Sequence, residues 1–153
     1  MDQVRRNFLK SMGAVMAVCA AGLLKSGSVF AATWNTQAFT SKDTADAMKL
    51  AGYGGAAESK DIVIKVPDIA ENGAVVPVEV TSNIPGTTSI AIFVDKNPSP
   101  MIADIGFMNG AEPFIATRVK MASTSIVRAS VKAGGKVYTA SREVKVTIGG
   151  CGG

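Results

Sequence analysis

The 153-residue chain contains no histidine. That absence removes the commonest general base, the commonest transition-metal ligand and every nucleophile arrangement built on a Cys-His or Ser-His pair. Ordinary hydrolase and zinc-enzyme chemistry therefore lack their usual machinery. The two cysteines, Cys19 and Cys151, form no CxxC spacing, which removes disulfide exchange within the chain and tetrahedral zinc binding. Aromatic residues make up only 6% of the chain, and no Lys/Arg run is interleaved with them. A nucleic-acid binder needs such a concentrated basic face to release phosphate counterions, so no nucleic-acid partner is expected. A long hydrophobic run is also missing. The uncharged, mostly apolar run Ser11–Leu24 has about 14 residues against the roughly 20 that span a bilayer, so no membrane anchor is expected. The length suits one domain.

Those first residues nevertheless have an order. Arg5, Arg6 and Lys10 precede the apolar run, and Ser28-Val29-Phe30-Ala31-Ala32 supplies small residues after it. This is the three-part pattern of a secretory signal peptide over residues 1–31. Within it, Val4-Arg5-Arg6-Asn7-Phe8-Leu9-Lys10 resembles the twin-arginine export signal in Arg5, Arg6, Phe8 and Leu9, with Val4 where Ser or Thr is usual. The resemblance implies export of an already folded protein to the periplasm. Cleavage after Ala31 would remove four of the 16 Lys+Arg and one of the 12 Asp+Glu, leaving a nearly neutral chain of 122 residues. Cys19 would leave too. One cysteine then remains in an oxidising compartment, and no intramolecular disulfide can form.

Residues 32–60 are polar and rich in Gly and Ala, with one helical window at Ser41–Ala51. Thr40 or Ser41 is the expected cap, Asp43 and Asp46 favour its first turns, and Gly52 ends it. From Asp61 the apolar period changes from 3.6 to 2. Ile62, Ile64 and Val66 fall on one face, as do Val76, Val78 and Val80, then Ile90, Ile92 and Val94 with Phe93 on the opposite face. Ile115, Val119 and Met121 follow, then Val127, Ala129 and Val131, then Val137–Ser141, and lastly Val144, Val146 and Ile148. Asn83–Gly86, Asn97–Pro100, Asn109-Gly110 and Gly134-Gly135 punctuate these runs, and Asn72-Gly73 offers a hairpin turn. Seven or eight short strands, with no helices between them to cross a parallel sheet, predict an all-β fold. It is an immunoglobulin-like antiparallel β-sandwich over residues 61–148, with a short N-terminal helix before it and a small barrel as the alternative.

The chain then closes on Gly149-Gly150-Cys151-Gly152-Gly153. Gly149, Gly150, Gly152 and Gly153 bring no side chain to pack and the greatest loss of entropy on ordering, so residues 149–153 are expected to form a flexible arm. Cys151 has no base beside it and no ligand cluster near it in sequence. Covalent attachment is the use that remains. A bland alternative is an extracytoplasmic adhesion or binding module in which Cys151 joins two copies by an intermolecular disulfide.

The ordered run Pro67-Asp68-Ile69-Ala70-Glu71-Asn72-Gly73-Ala74-Val75-Val76-Pro77-Val78, then Phe93–Pro98, Thr117–Lys120 and finally Val144 to Gly153 resembles the SoxY family. These are sulfur-carrier subunits of the thiosulfate-oxidising Sox system. The resemblance implies that Cys151 is the covalent sulfur attachment site on a non-catalytic subunit and that no other functional residue is assigned. It implies a heterodimer with a SoxZ-type subunit. Transient partners would be a cytochrome that ligates thiosulfate, a hydrolase that releases sulfate and a sulfane dehydrogenase. Haem, metal and molybdenum would sit on those enzymes, with no cofactor on this chain.

Overall fold

The computed structural model describes residues 34–147. Among these, the residues from Asn35 onward form one compact unit. Its nine strands are β1 (Ala57–Glu58), β2 (Ile62–Lys65), β3 (Ile69–Ala70), β4 (Val76–Ser82), β5 (Thr87–Val94), β6 (Met101–Gly106), β7 (Phe114–Val119), β8 (Ser125–Ala133) and β9 (Lys136–Val146). One sheet runs β1-β9-β8-β5-β6, with β3 also pairing to β9; the other runs β2-β4-β7. This is the immunoglobulin-like sandwich that the alternation predicts. Val137–Ser141 and Val144–Val146, on separate strands in the sequence reading, are parts of one 11-residue strand, β9, and Ile148 lies outside the described residues.

Period-2 alternation determines which side chains meet between the sheets. Val76, Val78 and Val80 from β4, Ile90, Ile92 and Val94 from β5, and Val127, Ala129 and Val131 from β8 are fully buried in a single cluster. Burying each Val or Ile stabilises by roughly 1.5–3 kcal/mol relative to exposure. Gly134 and Gly135, with φ of 56° and 73°, supply the left-handed conformations that the tight β8–β9 hairpin requires. Pro77 lies in the middle strand of its sheet yet breaks no ladder. It pairs in register with Arg118 of β7, whereas β2 reaches only as far as Glu79 on the other side.

The region before the strands differs from its sequence reading. There are two helices, α1 (Thr36–Thr40) and α2 (Thr44–Leu50), and the cap of α2 is Asp43 rather than Thr40 or Ser41. Asp43 wins because its carboxylate accepts the Asp46 N–H at 3.0 Å, whereas the Ser41 hydroxyl is turned to the Asp43 backbone. Asn35 joins the two helices, accepting the Ala38 N–H and donating to the Leu50 carbonyl at 2.9 Å. Ala38, Ala47, Ala51 and Tyr53 then cover Ala91, Phe93 and Met101 on the outer face of the larger sheet. Phe93 is thus on the opposite face from Ile90, Ile92 and Val94 as expected, but that face is a second core. Strand β5 is buried on both sides from Ile90 to Val94.

Tyr53 fastens this layer. Its ring meets Phe93 edge-on, with centroids 6.3 Å apart, and the Lys132 ammonium lies 4.0 Å from the ring centroid while donating to the Ala51 carbonyl. Its hydroxyl donates to Asp104 at 2.6 Å and lies 2.8 Å from the Ser89 hydroxyl. Burial, followed by the Asp104 hydrogen bond, raises the phenol above its ordinary value of 10.0. A raised folded-state value means that the unfolded chain loses this proton first. The stability tied to the neutral phenol is therefore complete below about pH 10 and is lost as the pH rises beyond it. Tyr53→Phe is expected to cost about 1.5–3 kcal/mol in urea unfolding at pH 7, and to flatten the loss of stability above pH 10. Equal stability of both proteins at both pH values would contradict this account.

Candidate functional site

Cys151 and its flanking Gly149, Gly150, Gly152 and Gly153 lie outside the described residues, as do Arg5, Arg6, Phe8 and Leu9. What the structure describes is the root from which the C-terminal pentapeptide begins. Strand β9 delivers the chain to this root, and both of its edges are held there. On one side β3 runs parallel to it, pairing Ile69 with Lys145 and Ala70 with Val146. The Lys145 N–H donates to the Asp68 carbonyl at 3.0 Å and the Thr147 N–H to the Ala70 carbonyl at 3.1 Å. On the other side the Val146 N–H donates to Thr124 Oγ1, also at 3.0 Å. Successive N–H groups point to opposite edges of a strand, so the partners alternate. A strand end with both edges bonded has its direction fixed.

The segments that hold β9 are themselves tied together. Asn97 bridges to the 120–124 connection twice, donating from Nδ2 to the Lys120 carbonyl at 2.7 Å and accepting the Ala122 N–H at 3.1 Å. The Met121 N–H donates to the Gly73 carbonyl at 2.7 Å. Gly73 is needed here for close approach: a Cβ on it would stand 2.5 Å from the Met121 carbonyl oxygen and 2.8 Å from Val146 Cγ1. Asn72-Gly73 therefore closes no hairpin, contrary to the sequence reading. β3 and β4 belong to different sheets, and this turn carries the chain between them. The Asn72 side chain accepts the Ala74 N–H at 2.9 Å, which shapes the crossover.

Two segments that read as ordinary turn chemistry, Pro67–Val78 and Asp95–Pro98, thus converge on one place. Asn97 and Gly73 were missed as supports of the root because their partners are remote in sequence. The run that carries the family resemblance was the available signal. Among the described residues no group of three His, Cys, Asp or Glu could hold a metal ion. No helix among them is long and apolar enough to cross a membrane.

The described residues thus form an immunoglobulin-like sandwich whose last strand is held at both edges. Residues 48–151 match the family described as sulfur oxidation protein SoxY, a span that takes in Cys151. The chain belongs to the SoxY family. Among solved structures it is similar to the sulfur carrier protein SoxY from Chlorobium limicola f thiosulfatophilum, at 48% identity and a TM-score of 0.60 over 67% of this chain and 96% of that one. It also shares its fold with a superoxide reductase (neelaredoxin) from Ignicoccus hospitalis, at 18% identity and a TM-score of 0.52 over 60% and 83% of the two chains. No curated protein matches.

Gly73→Ala forces a methyl against a backbone oxygen that cannot rotate away. A destabilisation of roughly 1–3 kcal/mol in urea is expected, with faster amide exchange at Met121 and Thr147 than elsewhere in the sandwich. Unchanged stability and unchanged exchange would refute the clamp.

Proposed function

We propose that this chain is a covalent sulfur carrier of the Sox system and that the Cys151 thiol is the attachment site. The family match that extends through Cys151 carries this reading. The clamped root supports it, because an arm can be offered to another protein only if its base has a fixed position. Cys151 lies four residues beyond Thr147, a reach of at most about 14 Å. Glycine on both sides of the thiol leaves nothing to obstruct a narrow cavity.

The chemistry divides between this chain and the enzymes it visits. A cytochrome would join thiosulfate to the thiol, forming a sulfur–sulfur bond and releasing the thiol proton, with its haem chemistry supplying the oxidant for two electrons removed one at a time. A hydrolase then cleaves the terminal sulfone with water and releases sulfate, which leaves a persulfide on Cys151. A molybdenum–haem dehydrogenase, where the cell has one, would oxidise the remaining sulfane to a sulfonate, taking oxygen from three waters and accepting six electrons, and a further hydrolysis would release a second sulfate and restore the thiol. Each catalytic group and cofactor in this cycle belongs to a partner. The carrier works in the periplasm as a heterodimer with a SoxZ-type subunit, exported folded on the twin-arginine signal of residues 1–31.

Cys151→Ser is expected to abolish loading by thiosulfate and the cytochrome partner while leaving fold and heterodimer formation intact. Retained loading, measured as added mass, would overturn the assignment of Cys151.

A further inference from the structure

An asparagine followed by glycine is chemically fragile, because a neighbour without Cβ lets its backbone nitrogen reach the side-chain amide. The sequence Asn-Gly-Ala occurs twice, at Asn72-Gly73-Ala74 and at Asn109-Gly110-Ala111, and the fold treats the two copies differently. The first is locked. The Asn72 side chain accepts the Ala74 N–H at 2.9 Å, the Asn72 carbonyl accepts the Val75 N–H at 3.3 Å, and the Gly73 carbonyl accepts the Met121 N–H at 2.7 Å. The second is open. Asn109 and Gly110, with φ of 56° and 74°, form the centre of a tight turn closed by one hydrogen bond, from the Ala111 N–H to the Met108 carbonyl at 3.1 Å. Both residues are exposed, and neither the Asn109 side chain nor the Gly110 N–H is hydrogen-bonded among the described residues. A Cβ at Gly110 would meet nothing within 4 Å, so no neighbour restrains the turn.

We infer that Asn109 is a site of spontaneous deamidation, its amide exchanged by water for a carboxylate, and that the fold protects Asn72 from the same reaction. The Gly110 nitrogen attacks the Asn109 side-chain carbonyl carbon. The new carbon–nitrogen bond closes an imide ring as the bond to the amide nitrogen breaks, and the Gly110 proton departs with that nitrogen as ammonia. Water then opens the ring at either carbonyl, giving aspartate in the ordinary backbone or isoaspartate, in which the backbone runs through the side chain. No oxidant or reductant is needed. Attack requires the local backbone to loosen, which breaks one hydrogen bond at Asn109 and three at Asn72. Two further bonds at their usual net worth correspond to a rate ratio of roughly thirtyfold. Aspartate tolerates the left-handed φ of the turn, whereas isoaspartate lengthens the backbone and cannot close the Met108–Ala111 hydrogen bond in the same geometry. Strand directions place this β6–β7 connection at the end of the sandwich opposite the one where β9 delivers Thr147. The new charge therefore appears far from the root of the arm.

The test is peptide mapping by mass spectrometry of the purified full chain held at mildly alkaline pH, once folded and once in urea. Loss of amide is read as the mass change of each Asn-Gly peptide over time, with Asn109→Asp as the product standard. A methyltransferase that esterifies isoaspartyl residues marks the second product. In the folded protein Asn109 is expected to convert at least about tenfold faster than Asn72 and to take the methyl label. In urea the two rates are expected to converge, since the same three residues are then free of their partners. Equal rates in the folded protein, faster conversion of Asn72, or a preference for Asn109 that persists undiminished in urea would overturn the inference. So would a folded Asn109 that stays intact while the unfolded one converts.

Discussion

The structure depends on how the end of β9 is held. This strand pairs along its length with β8, takes β1 beside its first half and β3 beside its last residues, and delivers Thr147 to the surface. Its final N–H groups are bonded alternately to the two sides, by the Asp68 and Ala70 carbonyls on one and Thr124 Oγ1 on the other. A hydrogen bond on one edge alone would leave the strand end free to peel, because a single net bond is worth only about 1 kcal/mol. Bonds on both edges make peeling cost several such bonds at once. The 67–73 crossover and the 120–124 connection must keep their places for this to work, and the approach of Gly73 to the Met121 carbonyl shows how closely they fit.

The remainder of the fold makes that clamp rigid. Valines and isoleucines from β4, β5 and β8 fill the space between the sheets. Strand β5 is buried on its other face as well, where Phe93 and Ala91 receive the alanine-lined helices. Small residues suit that contact, since they allow helix backbones to approach the sheet closely. Tyr53, held by Asp104 and faced by the Lys132 ammonium, makes the helix layer part of the sandwich. Among the described residues this packing brings together no group of three His, Cys, Asp or Glu that could hold a metal ion.

Strand alternation made most of the sandwich legible in the sequence, because burial of one face imposes a period of two and a one-residue slip would expose every Val and Ile. The β8–β9 hairpin was legible for the same kind of reason, since Gly134-Gly135 permits the left-handed turn that two-residue loops need. The reading failed where the deciding partner is far along the chain. Asn72-Gly73 has the composition of a hairpin, but pairing of β3 with β9 and of β4 with β2 and β7 turns it into a crossover. Asp43 took the helix cap from Thr40 and Ser41 through a contest between side chains that period and composition do not settle. The double burial of β5 was half visible, as Phe93 beside Ile92 and Val94, yet only the packed helices explain why an aromatic ring faces outward there. The tail stood out by composition alone, whereas the Asn97 and Thr124 supports beneath it carry no local mark.

A member of the SoxY family whose last described strand is held at both edges suits the carrier role proposed for it. The most direct measurement is the intact mass of the protein isolated from cells grown on thiosulfate, with and without reductant, followed by peptide mapping. The carrier account predicts reductant-sensitive additions, equal in mass to a thiosulfonate or to added sulfur atoms, confined to Cys151. A bare thiol under all conditions, or nothing beyond a disulfide-linked homodimer, would contradict it.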